Sequence, residues 1–342
     1  MKLNLQDLVA VEAHLLGAIG RKNPEARASG LQHIMTRLTE AHHRAYMGTH
    51  LNTDERYNAA QRQAINARLN STELQGTGRW ILVAPTHKPV ELSNDAFRTQ
   101  IRLRVGLPHP VTQHVDVKDK MCVCGKHTIV HSDGRDFFAC KALGNFIFRH
   151  DGVLRQLKAM CDAAGVAARL QPEIAWPGNK RPDLEVYLDN DANRATLLDM
   201  VVSHPGSSSY VARVAAPGGG GLVTLDKERM KRIKYGDIAR GQGYEFQPFA
   251  VETTGHFGGA AISIIDRICK VASTIRDKDY GTFRHYWMGR LSVALQSYTA
   301  GGFLRIAYDV KTRGLRRAAR WAPFEDDDEE EGGLVQVVGE AL

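Results

Sequence analysis

Six residues, Leu197-Leu-Asp-Met-Val-Val202, constrain the fold of this chain more than any others. The run is apolar on both faces except at Asp199, the pattern of a central strand covered from both sides. A carboxylate inside such a strand is expensive unless it is paired or holds a cation. Asp199 is therefore read as a functional acid rather than a structural one. Just upstream, Leu184, Val186 and Leu188 alternate with Glu185, Tyr187 and Asp189, the period-two signature of a half-buried strand. The expected order is strand (168–174), strand (183–189), strand (195–202), helix (223–236), strand (246–252) and helix (258–275). That is an α/β (α+β) fold, a mixed sheet flanked by helices.

Asp183 opens the strand before Asp199, in Arg181-Pro182-Asp183, although a Pro-Asp pair is also a common turn signal. If the two strands are antiparallel neighbours, both carboxylates come close enough to share a divalent ion such as Mg²⁺. Lys227, Lys231 and Lys234 are spaced to share one face of the following helix, where an ammonium can offset charge on a phosphate. Tyr235 adds a hydroxyl that can reach a phosphate. Glu252, at the end of the last expected strand, is a candidate third acid. Together these residues point to metal-dependent phosphodiester chemistry.

A second cluster lies upstream, Cys122-Val-Cys124-Gly-Lys-His127-Thr-Ile-Val-His131 followed by Cys140. Three thiolates and an imidazole can close a tetrahedral Zn²⁺ site, and four protein ligands would make it structural. The fourth ligand is His127, His131 or His150, with His131 favoured because it leaves a wrapping loop on both sides. The spacing departs from the usual knuckle, with Cys-x-Cys in place of Cys-x-x-Cys. Five cysteines, three of them crowded together, argue against a disulfide framework and for a reducing, intracellular compartment.

The chain has 342 residues, enough for two or three modest domains. Its net charge of +7 favours anionic partners, and the acidic run at 325–331 understates the basic surface elsewhere. That run reads as a solvated, disordered tail. Asp7, Glu12 and His14 interrupt any apolar core of a secretory leader, and no membrane span is expected. Residues 4–19, 26–46 and 53–70 have helical periodicity, the last capped by Asn52 or Thr53. A helix over 94–105 with Asn94 as its cap, and another from Gly152 to Ala164 capped by Asp151, complete the pattern. Gly218 to Gly221 form a loop with no lysine at phosphate-loop spacing.

Taken together, Cys122–Cys140, Arg149-His150-Asp151, Arg181-Pro182-Asp183, Asp199, Lys231 to Tyr235 and Glu252-Thr-Thr-Gly255 resemble the restriction-like endonuclease of site-specific non-LTR retrotransposons. That domain is a branch of the PD-(D/E)XK nucleases, and the resemblance covers roughly residues 75–300, reaching upstream to Thr77-Gly-Arg-Trp80. It implies a restriction-endonuclease-like sheet with a zinc knuckle, and a Mg²⁺-dependent DNA endonuclease located in the nucleus. Asp183 and Asp199 would be the magnesium ligands, and Lys231 or Lys234 the active-site base. Arg149, which matches a basic residue preceding the Pro-Asp pair, and Arg181 would bind nucleic acid; DNA and the RNA of a parent element are the implied partners. The superfamily lysine, two residues after the second acid, is Val201 here, so the lysine must come from the helix. The implied organisation is a helical region (1–75), a linker (76–120), a knuckle (121–151), a nuclease domain (152–300) and a basic segment with the acidic tail (301–342). The alternative is a retroelement-derived nucleic-acid-binding protein that has lost catalysis.

Overall fold

The computed structural model describes residues 57–107, 109, 110, 137, 138, 140, 142–174, 181–188 and 195–317. The helices expected at 4–19 and 26–46, most of the cysteine cluster and the acidic run lie outside these residues. Among them are seven α-helices and one four-stranded mixed sheet. The helices are α1 (Ala59–Thr72), α2 (Asn94–Val105), α3 (Asn145–Ala164), α4 (Val211–Ala215), α5 (Leu222–Gly241), α6 (Gly259–Arg276) and α7 (Tyr280–Arg317). The strands are β1 (Ala168–Leu170), β2 (Leu184–Val186), β3 (Thr196–Ser203) and β4 (Glu245–Glu252).

Local chemistry sets several of these boundaries. Asn58 and Gln61 form a reciprocal capping box, so α1 starts six residues later than an Asn52 cap would place it. Ser93, not Asn94, caps α2: its Oγ accepts from the Ala96 N–H at 3.2 Å. The α3 helix begins at Asn145, so Asp151 lies within it rather than at its cap. It ends where Gly165 takes a left-handed conformation (φ 76°). The α7 helix runs to Arg317, across the domain boundary expected at residue 300. Trp287, Leu291 and Leu295 bury one stripe of that helix, and Phe303 and Ile306 keep it buried beyond residue 300.

The sheet order is β1-β2-β3-β4. Strands β1–β2 and β2–β3 are antiparallel, whereas β3 and β4 run parallel, with α5 as part of the crossover. Leu184, Val186, Leu198, Met200, Phe249 and Val251 face α3, α6 and α7 in the main core. Ile264, Ile265 and Ile268 of α6 and Leu157 and Met160 of α3 fill it, all fully buried. Burial of one such side chain contributes roughly 1.5–3 kcal/mol. Gly152 lets α3 approach α7, since a Cβ there would lie 2.3 Å from the Tyr298 ring. The opposite sheet face carries Leu197 and Phe246, which pack under Tyr235 and Ala239 of α5. Because side chains alternate along a strand, Asp199 and Glu252 share that α5 face with Leu197 and Phe246.

Candidate functional site

The register that pairs Leu184 with Leu198 brings Asp183 opposite Asp199. Opposite residues of an antiparallel pair project to the same face, and the two carboxyls interact directly. The Asp183 backbone N–H donates to the Leu198 carbonyl at 2.9 Å, and its Oδ2 accepts from the Met200 N–H at 2.6 Å. From α5 above, the Lys231 ammonium pairs with Asp199 Oδ2. From α3, His150 Nε2 lies 3.1 Å from Asp183 Oδ2 while its Nδ1 lies 2.8 Å from Asp151 Oδ1. Three carboxyls thus meet two side-chain cations.

The electrostatics follow from burial. Asp199 is only 8% exposed. Burial, with the Asp183 carboxyl beside it, holds Asp199 above the ordinary carboxylate range, and the Lys231 ammonium offsets this only in part. Burial works against charge on His150 too, but the Asp183 and Asp151 carboxylates outweigh it and raise the imidazole to about 9. His150 is therefore an imidazolium at neutral pH. The donor set suits Mg²⁺, which is commonly held by one or two carboxylates plus phosphate oxygens and water. Among the described residues, no group of three or more His, Cys, Asp and Glu side chains is arranged to hold a metal ion.

Of the candidate lysines, Lys231 reaches the acids. Lys234 is exposed, with its ammonium 5.0 Å from the Tyr235 ring centroid, and Lys227 lies over Tyr210. The Tyr235 ring is a packing element, buried in edge-to-face contact with Phe246. Glu252 does not join the acid pair. It stands opposite Ser203, four residues along β3 from Asp199, roughly 13 Å at ~3.3 Å per residue. Fully buried, it accepts from the Thr254 hydroxyl at 3.1 Å, and burial raises its carboxyl to about 7.

Arg181 is exposed beside Asp183, where a phosphate could meet it. Arg149 is not so placed: it is 1% exposed, donates to the Phe138 carbonyl at 3.2 Å and stacks near Phe138 and Phe146. A guanidinium inside the core cannot grip a nucleic-acid backbone; it anchors α3 to the Phe137–Cys140 segment instead. Cys140 is buried against Phe137 and Phe303. The other prospective zinc ligands, Cys122, Cys124 and His131, lie outside the described residues. The site residue that sequence reasoning considered for another role is His150, a candidate zinc ligand there and a partner of Asp183 and Asp151 here. Its helical position between Arg149 and Asp151 gives no pointer to a carboxylate more than thirty residues away. No protein-family model matches the chain, and no curated protein matches it.

Proposed function

We propose that the chain is a Mg²⁺-dependent DNA endonuclease of retroelement type, built on a restriction-endonuclease-like sheet. The observation that carries this reading is the meeting of Asp183 and Asp199, from antiparallel strands, with Lys231 from the crossover helix. Two carboxyls in direct contact on a mostly covered sheet face repel each other when ionised. A divalent cation relieves that repulsion, and Asp183 and Asp199 would hold it. When bound, such an ion acidifies water and stabilises charge on a phosphoryl group. Lys231 keeps Asp199 oriented and offers positive charge to the phosphate, taking the part of the lysine absent at Val201. His150, positioned by Asp151, fixes Asp183 from below. Arg181 supplies an exposed cation for the strand, giving salt-sensitive and sequence-blind attraction. Cys122, Cys124, His131 and Cys140 are proposed to hold structural Zn²⁺.

The test is nicking or linearisation of plasmid DNA with Mg²⁺ or Mn²⁺, compared with Asp199→Ala. Metal-dependent cutting that disappears in the variant supports the mechanism, and undiminished cutting sinks it. One observation favours a second reading, a DNA-binding protein without catalysis: His150 and Lys231 already neutralise both acids without a metal ion. Retention of DNA with no cutting in either metal would select that reading.

A further inference from the structure

The carboxyl ends of parallel strands β3 and β4, about 13 Å along the same sheet from the acid pair, open onto a cavity of about 70 Å³. Ligands of open α/β sheets bind outside the carboxyl ends of such strands. Helices α1 and α2 roof this cavity with Arg68 and Arg104, while His204, Thr253 and Thr254 come from the strand ends. No carboxylate is among the described residues that line it. We propose that the cavity is an anion site that takes a phosphate group of the nucleic-acid strand, away from the one being cut. This rests on the nuclease reading above.

The site is built before any ligand arrives. Arg68 Nη1 donates to the Arg104 carbonyl at 2.6 Å, and Arg104 Nη2 donates to the Thr72 carbonyl at 3.0 Å. Each guanidinium is therefore held in orientation, which reduces the ordering cost of binding. The floor is equally fixed. Buried Gln100 donates to the Gln296 carbonyl at 2.9 Å, and Gln296 donates to the Thr253 carbonyl at 3.3 Å. His204 Nδ1 lies 2.8 Å from the Thr253 hydroxyl, and its ring stacks on Phe138 with centroids 4.4 Å apart. Guanidinium forks match phosphate geometry better than any other side chain. The space suits several waters or one tetrahedral oxyanion, and falls well short of the roughly 300 Å³ of a cofactor pocket.

Ala64, a half-buried residue of α1 on the cavity wall, allows a test that leaves every one of these hydrogen bonds in place. Ala64→Leu fills the space while keeping a good helix former. Inorganic phosphate, titrated against chloride at matched ionic strength, is expected to raise the melting temperature of the wild type and not of the variant. Binding of a single-stranded oligonucleotide in EDTA, followed by fluorescence anisotropy, is expected to weaken about tenfold in the variant. Its log–log salt slope should fall by about 0.7, the loss of one phosphate contact. Arg68→Met serves as the second variant if Ala64→Leu does not fold.

Unchanged affinity and slope in a folded variant overturn the proposal. If phosphate stabilises the wild type but strand binding is unaltered, the cavity serves free phosphate, and the strand assignment fails. Because binding is measured without metal, a wild type that never cuts DNA yet shows the expected losses removes the nuclease reading and leaves this site standing. A wild type that cuts, with a variant that binds normally, does the reverse.

Discussion

Two acids on one sheet face, Asp199 in the middle of β3 and Glu252 at the end of β4, have been given opposite surroundings. Asp199 meets Asp183 and the Lys231 ammonium, with the His150 imidazolium behind Asp183. Glu252 meets the Thr254 hydroxyl and backbone, and burial raises its carboxyl to about 7. The first environment sets two carboxyls against each other and can recruit a cation to relieve them. The second tolerates a neutral acid and has no cation to offer it among its described hydrogen-bond partners. Burial alone therefore does not fix an acid's chemistry; the neighbours decide which buried acid is a reactive group.

The sharpest way to break this contrast is Asp199→Ala, expected to lower Mg²⁺-dependent cleavage by at least about 100-fold, while Glu252→Gln leaves it within a few-fold. Equal losses in a plasmid assay would erase the distinction. Next in size is Lys231→Met, which strands Asp199 without its cation and is expected to cost about 4 kcal/mol in urea unfolding. Adding Asp199→Asn should recover much of that loss. The His150 ion pair gives stability that is full below pH 6.5 and disappears as pH rises through about 9. His150→Gln should then cost about 3 kcal/mol at pH 6 and little at pH 10. Glu252→Gln should have the opposite sign. A carboxyl raised from 4.5 to about 7 is a stability loss that sets in between those values, so the variant gains up to about 3 kcal/mol at pH 8 and nothing at pH 4. The smallest effect belongs to Lys234→Ala: under about 0.5 kcal/mol, with cleavage within twofold of wild type, which separates it from Lys231.

The central strands were legible because their residues carry their environment with them. Leu197-Leu-Asp-Met-Val-Val202 admits burial on both sides, and β3 spans Thr196–Ser203. The β2 strand was legible in its alternation and shorter than expected, at Leu184–Val186. The long α7 helix, Tyr280–Arg317, was not among the expected elements, which ended with the helix over 258–275. Beyond residue 300 its buried stripe is held by tertiary contacts with Phe137 and Phe138. Arg149 was expected outside, as a charged residue usually is; it is buried, where its guanidinium meets the Phe138 carbonyl and the Phe138 and Phe146 rings.

By itself the sequence determined the order of the elements around the site, the buried strand with its lone acid, and the helix of basic residues after it. These are local properties, fixed by side-chain periodicity and by the cost of burying charge. Which lysine reaches Asp199, that His150 belongs to Asp183, and that Glu252 stands apart were decided only by the tertiary structure. Each depends on strand register and on the rotation of α5 and α3 about their axes. Those degrees of freedom are settled by packing between elements distant in the chain.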